Sequence, residues 1–331
     1  MPDGIVITLV KAFVLANLVM GVFAMLTWAE RRLLGRFQVR YGPNRVGPFG
    51  LLQPIADLVK LIRKESMLPE GINPLLYVVA PVVSVFASLS VFAVIPFGGR
   101  AQIPGTGVHF HLWVSDPSVA LLVVFALGSL SFYGFLVGGW SSSSKYSLFG
   151  SMRAVSQLIS YEVSLALAVI GVVMMSHSLS LTGIVAAQKH DGLPYIIPQF
   201  LGFVVYAVAS TAEVSRIPFD LPEAEGELVA GYHTEYGGMR FGMFQTAEYI
   251  ALIAFSAVAS LLFLRGYSWP VLPGPLWVVL EMAIFIFIAM WLRATLPRVR
   301  YDKLMTIGWK LLLPAATLNL LVTSVIVAWR A

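Results

Sequence analysis

Apolar positions run along this chain in stretches too long for a soluble core, separated by short polar and charged intervals. A bilayer-crossing helix needs about 20 mostly apolar residues. Runs of that kind lie near 5–29, 75–96, 118–139, 155–176, 195–212, 246–264, 275–292 and 307–328. The pattern predicts an all-α polytopic membrane protein with about eight transmembrane helices, the fifth being the shortest. No internal repeat divides it, so 1–331 is expected to form a single multi-span membrane domain. The first run is full length and ends in Glu30-Arg31-Arg32, which reads as a retained span and not a cleaved leader.

The period changes between Leu51 and Lys64. Leu51, Leu52, Ile55, Leu58, Val59 and Ile62 recur at helical spacing, while Gln53, Asp57, Lys60 and Lys64 take the other face. This predicts an amphipathic interfacial helix in the first cytoplasmic loop, lying along the membrane surface or against a partner. It follows Gly42-Pro43-Asn44-Arg45-Val46-Gly47-Pro48, a stretch rich in turn formers that suggests a shaped opening between turn and helix.

Basic residues orient the spans. Sixteen Lys and Arg fall in the loops of one side and four in those of the other, so the basic side is expected to be cytoplasmic and both termini to lie on the outer, periplasmic side. The location expected on these grounds is a prokaryotic inner membrane, with the lipid bilayer as the main solvent.

Composition sharpens this picture. The chain is 58% hydrophobic and 12% charged, with a mean hydropathy of +0.82, whereas soluble domains are about a quarter charged. Cysteine is absent, which removes thiolate iron–sulfur ligation, Cys-based zinc sites and disulfides. Any electron carrier working with this chain is therefore bound elsewhere or is a diffusible ligand. The net charge of +5 is no nucleic-acid signal, because topology accounts for the basic residues. There is no P-loop, no G-x-G-x-x-G after a strand and no nucleophilic triad pattern.

Candidate chemistry concentrates in one segment. Between Thr211 and Glu248 lie seven of the 17 acidic residues: Glu213, Asp220, Glu223, Glu225, Glu227, Glu235 and Glu248, with only Arg216 and Arg240 to balance them. Ionisable groups near bilayer depth cost a few kcal/mol each on insertion scales. Asp220-Leu221-Pro222-Glu223 also reads as a capped helix start, which together with the helix dipole accounts for Asp220, Glu223 and at most Glu225 without any function. Capping leaves Glu213, Glu227, Glu235 and Glu248 unexplained, and crowded carboxylates of that kind suit proton storage. Glu162, about two turns from Arg153, reads equally as a structural ion-pair partner or a protonatable site. Glu281 stands alone inside the seventh span, and Glu30 and Arg293 mark membrane boundaries. His109 and His111 lack a third ligand nearby and read as surface residues; His233 in the acidic loop is a weak metal candidate.

Several longer motifs carry a resemblance. They are Glu30-Arg31-Arg32 through Asp57, Tyr146 through Val163, Arg216-Ile217-Pro218-Phe219-Asp220-Leu221-Pro222-Glu223-Ala224-Glu225, Gly231-Tyr232-His233-Thr234-Glu235-Tyr236, and Arg293 through Lys310. In order and spacing the chain resembles the H-subunit family of NADH–quinone oxidoreductase (respiratory complex I), whose mitochondrial member is subunit 1. That resemblance implies a non-redox membrane subunit that forms most of a quinone access channel and couples quinone reduction to proton translocation. FMN and iron–sulfur clusters are then expected in partner subunits and none in this chain; quinone is the substrate. The implied partners are the peripheral-arm quinone-site and iron–sulfur subunits and the neighbouring membrane-arm subunits.

By matching motif, Glu30, Arg31, Arg40 and Asp57 are expected at the quinone channel. Arg216, Asp220, Glu223, Glu225, Glu227 and Glu235 form the coupling loop, and Glu162, Glu213 and Glu248 the proton path, with Arg153 and Arg293 as supporting charges. Relatives often carry Lys where this chain has Glu281, and a bulkier residue where it has Gly226. The related subunit of a membrane-bound hydrogenase is the rival reading. A stand-alone proton-coupled transporter is a more distant one, since no paired halves with broken helices are visible.

Overall fold

The computed structural model describes residues 4–102, 109–222 and 230–330. Glu223, Glu225 and Glu227 of the expected coupling loop lie outside the described residues. Ten helices are used below: α1 (Ile5–Phe37), α2 (Gln53–Arg63), α3 (Pro74–Val91), α4 (Ala120–Ser141), α5 (Lys145–Ser176), α6 (Leu181–Asp191), α7 (Phe200–Glu213), α8 (Gly238–Phe263), α9 (Gly274–Thr295) and α10 (Tyr301–Trp329). Seven of them are long and apolar enough to cross a membrane; α7, with 14 residues, is apolar but shorter. The protein is thus an all-α, multi-pass membrane protein, and the eight apolar runs correspond to α1, α3, α4, α5, α7, α8, α9 and α10.

The fifth apolar run starts near 195, yet α7 begins only at Phe200, after Pro194 and Pro198 have broken the helix. Helix α6 carries no span-length apolar run, so run length gives no sign of it. It is set by Ser180, whose hydroxyl accepts from the Gly183 N–H, and is closed by Gly192 in the left-handed region. A short antiparallel pair, β1 (Arg100–Gln102) and β2 (His109–His111), also escapes the periodicity. The Lys11 ammonium on α1 ties this hairpin down by donating to the Trp113 carbonyl at 2.6 Å and the His111 carbonyl at 3.2 Å.

Helix α8 is the centre of the bundle. It packs against α3, α7 and α9, and 83% of its most apolar stretch is buried, against 6% for α1. A helix apolar on all sides belongs in a core, and α8 fits that description, with Ile250, Ala257, Leu261 and Phe263 fully enclosed. Helix α1 instead turns Leu9, Phe13, Val14 and Leu18 outward, as a lipid-facing helix does. Within the core, polar side chains find one another. The Gln199 amide accepts from Asn319 and donates to Thr323, each at 2.7 Å, joining the start of α7 to α10. Helix α10 is α-helical except for a π-helical stretch, Ile307–Leu312.

Successive spans alternate in direction, so loops 38–73, 214–237 and 296–300 gather at one end of the bundle. The hairpin, α6 and the α8–α9 connection gather at the other. The acidic and basic motifs all fall at the first of these, here termed the charged end.

Candidate functional site: buried charges at the charged end

The last two turns of α1 separate two groups of charges. Glu30 points into the bundle and is buried; Arg31, the next residue, turns to the surface. Glu30 accepts from Arg293 at the end of α9 and from Arg216 in the α7–α8 loop, the latter at 3.4 Å. One carboxylate from the first span is therefore clamped by two guanidiniums from distant parts of the sequence. Arg216 also lies over the Tyr249 ring, its guanidinium carbon 4.0 Å from the centroid. Desolvation opposes the charge on Arg216, but Tyr249, Glu30 and Glu248 outweigh it and raise its pKa above the ordinary arginine value. The guanidinium is a fixed positive charge in the middle of the acidic group.

The loop around Arg216 is pinned on several sides. Gln157 of α5 donates to the Ala212 carbonyl at 2.6 Å and the Phe219 carbonyl at 2.8 Å, stapling the end of α7 to the following turn. Arg298 donates to Asp220 at 2.9 Å, and the Val299 N–H to the Pro218 carbonyl at 3.0 Å. Further along, Tyr77 and Tyr236 stack with centroids 4.1 Å apart, and the Tyr77 hydroxyl donates to the Glu235 carbonyl at 2.6 Å. Aromatic pairs of this kind stabilise by about 0.5–1.5 kcal/mol beyond their buried area.

Carboxylates line the interior from this loop. Tyr232 donates at 2.7 Å to Glu248, which lies about three turns into α8. Glu213 closes α7 as a buried side chain whose Oε2 has no hydrogen-bond partner, and Glu162 of α5 is close enough to act on it electrostatically. Glu162 itself accepts from Ser129 of α4 at 2.5 Å and lines a small cavity of about 80 Å³ between those helices. Arg153 is half-buried one turn before Gln157, and Glu235 is half-buried beside the stacked tyrosines. Of the expected site residues, Glu30, Arg216, Arg293 and Glu248 thus form one interacting set, and Glu213 and Glu162 form a second pair.

The expected channel residues do not stay together. Arg31 donates to Asp57 at 2.5 Å and Gln53 to the same carboxylate at 3.0 Å, so the polar face of α2 is tied to the end of α1. Arg31, Arg40, Gln53, Tyr41, Gly42 and Pro43 line a recess of about 410 Å³. This is the opening that the turn-rich stretch suggests. Its shape depends on glycine: a Cβ on Gly42 would meet Arg32 Cα at 2.7 Å, and one on Gly50, at φ +77°, would meet the Pro43 carbonyl oxygen at 2.3 Å. Arg32 holds the same turn by donating to the Phe49 carbonyl at 2.9 Å and resting over Trp28. Glu30, in contrast, faces inward, away from Arg31 and Asp57 and toward the loop charges.

Periodicity misses Tyr249, Gln157, Tyr232, Ser129 and Arg298 as members of the site. Tyr249 follows Glu248, and Tyr232, Gln157 and Arg298 sit inside motifs named above, so adjacency is the available signal; nothing local marks Ser129. Among the described residues no group of three metal-ligating side chains occurs, and the rings packed around His233 are Tyr232 and Phe241.

Fold and site together define a class: a multi-pass membrane protein that keeps a network of buried acids, arginines and tyrosines at one end of its bundle, beside a surface recess. The family model described as NADH dehydrogenase matches residues 10–324. An H-subunit of NADH-quinone oxidoreductase from Syntrophobacter fumaroxidans is 47% identical over 98% of this chain and 97% of its own length. An H-subunit from Geobacter sulfurreducens is 50% identical over 92% of each, and NADH-quinone oxidoreductase subunit 8 of Thermus thermophilus is 48% identical over 96% of this chain and 86% of its own. The chain belongs to the H-subunit family of NADH–quinone oxidoreductase.

Proposed function

We propose that this chain works as the membrane subunit through which a proton-translocating NADH–quinone oxidoreductase couples quinone reduction to proton movement, with its charged end on the cytoplasmic side. The supporting observation is the clamp on Glu30. It links the helix that borders the α2 recess, the acidic α7–α8 loop and the end of α9 in a single buried contact set. A charge change at the recess side reaches Arg216 without crossing solvent, and Arg216 sits among Glu30, Glu248 and Tyr249.

In this reading the chain holds no redox centre, in keeping with its lack of cysteine, and electrons reach quinone from FMN and iron–sulfur clusters carried by partner subunits. The recess bordered by Arg31, Arg40 and Gln53 receives the quinone, with Asp57 fixing the orientation of Arg31. Its apolar surroundings on α2, where Leu52, Ile55, Leu58 and Ile62 remain exposed, suit a lipid tail or the surface of a peripheral subunit. Glu213, Glu162 and Glu248 take up and pass on protons as the loop charges change. Glu223, Glu225 and Glu227 belong to the same loop by sequence.

Purification in mild detergent tests the assignment. Co-purification with flavin and iron–sulfur subunits, and quinone reduction by NADH that is lost when this chain is deleted, is the expected result. A monomer that carries solute after reconstitution would overturn it.

A further inference from the structure

One buried acid lies at the far end of the molecule from the site above. Glu281 is buried on α9, and the Ser260 hydroxyl of α8 donates to its carboxylate. The Trp269 indole of the α8–α9 connection, whose N–H donates to the Leu264 carbonyl at 2.6 Å, also acts on it electrostatically. The ionisable side chains on neighbouring elements are engaged elsewhere. Lys11 of α1 is held by hairpin carbonyls, Arg265 lies over Trp269 and donates to the Gly192 carbonyl, and Tyr267 faces Asp116. Among the described residues Glu281 forms no ion pair.

Two cavities approach this acid, although Glu281 itself lines neither. On the outward side, a recess of about 620 Å³ is lined by Lys189, Tyr267, Ser268, Trp269 and Pro270, so the indole that acts on Glu281 electrostatically is also part of the recess wall. On the inward side, a cavity of about 280 Å³ lies between α7, α8 and α9. It begins at Thr211 and Pro218, close in sequence to Glu213, which does not line it, and ends at Ala259 and Phe285. Those last two are the neighbour of Ser260 and the residue one turn from Glu281. Along α9 the cavity covers roughly 16 Å of helix rise. Its lining is overwhelmingly apolar, with Ser210, Thr211 and Ser256 the small hydroxyls on it.

We propose that Glu281 is a proton-loading site that exchanges protons with the outer aqueous face through the Trp269 recess and receives them from the Glu213 region across the cavity between α7, α8 and α9. An O–H bond forms at a Glu281 carboxylate oxygen as the donor gives up its proton, and it breaks when that proton passes to water in the recess, restoring the carboxylate. The cleft opens past Ile288 and Leu296, and its apolar lining disfavours ordered water between the two acids, which limits a standing leak. Transfer follows transient wetting. The proposal rests on the coupling role proposed above and extends it, giving this chain its own outlet beyond the lateral neighbours.

The test uses the assembled complex in proteoliposomes. Glu281→Gln is expected to keep NADH–quinone turnover within about two-fold of the parent while fewer protons move per NADH; Glu281→Asp is expected to restore the ratio. An unchanged ratio in Glu281→Gln overturns the proposal. Infrared difference spectra supply a readout that a structural role would not move. The carboxyl band missing from Glu281→Gln should, in the parent, follow pH on the recess side alone; a band indifferent to that pH, or following the opposite side, overturns it. If Glu213→Gln lowers the ratio while Glu281→Gln does not, the coupling reading stands and only this outlet fails.

Discussion

Glu30 and Arg31 are sequence neighbours with opposite tasks. Glu30 is enclosed between Arg216 and Arg293, and Arg31 meets Asp57 at the surface. Removing one partner of a buried charge set is costly, about 3–5 kcal/mol where the remaining charge stays uncompensated. Arg216→Met leaves Arg293 on Glu30, so the loss should fall toward the lower end of that range, read as a reduced Tm of the purified complex. The exposed pair behaves differently: such bridges are worth roughly 0–1 kcal/mol. Asp57→Ala is therefore expected to leave Tm unchanged and to raise KM for quinone or shift inhibitor titration. Unaltered quinone kinetics would remove Asp57 from the recess. Glu213→Gln should preserve assembly, since its Oε2 accepts no hydrogen bond, but should lower electron flow and proton pumping together; full coupled turnover would exclude it from the path.

Among the elements, apolar run length locates every span because a bilayer demands it, and the amphipathic period of α2 is equally plain. The short pieces are not legible in that way. Helix α6 depends on Asp116 accepting from the Ser180 and Thr182 hydroxyls more than sixty residues away, and the hairpin depends on Lys11. The same holds for the site. Its acids stand out by their crowding, but which arginine serves which acid is set by tertiary contacts such as Arg293 on Glu30, 263 residues apart. Gln157 lies within the Tyr146–Val163 motif, yet its role as a staple is not readable there because an amide inside an apolar helix looks like any other polar interruption. The turn before α2 is readable as a turn, while its dependence on Gly50 emerges only in three dimensions. Gly50→Ala must place a methyl against the Pro43 carbonyl at a positive φ, so it should distort the recess. Weaker inhibitor binding with normal spectra of the partner clusters is the expected outcome.

For the whole molecule, the division of labour runs along the membrane normal. Fixed charges and tyrosines collect at one end, a single buried acid among the described residues stands near the other, and α8 joins them with Glu248 and Ser260 twelve residues apart, roughly 18 Å of rise. The weakly buried α1 leaves that axis open on one flank, where lipid or a neighbouring subunit must lie. The π stretch in α10 has a consequence of its own. A wider turn accommodates one more residue than a regular helix would, and each residue advances the face by about 100°. That phase offset lies upstream of Asn319 and Thr323, which meet Gln199 one turn apart, and so enters the face they present. Deleting one residue between Ile307 and Leu312 should swing both amide and hydroxyl toward hydrocarbon, uncoupling the final span from α7 while leaving its length and greasiness untouched.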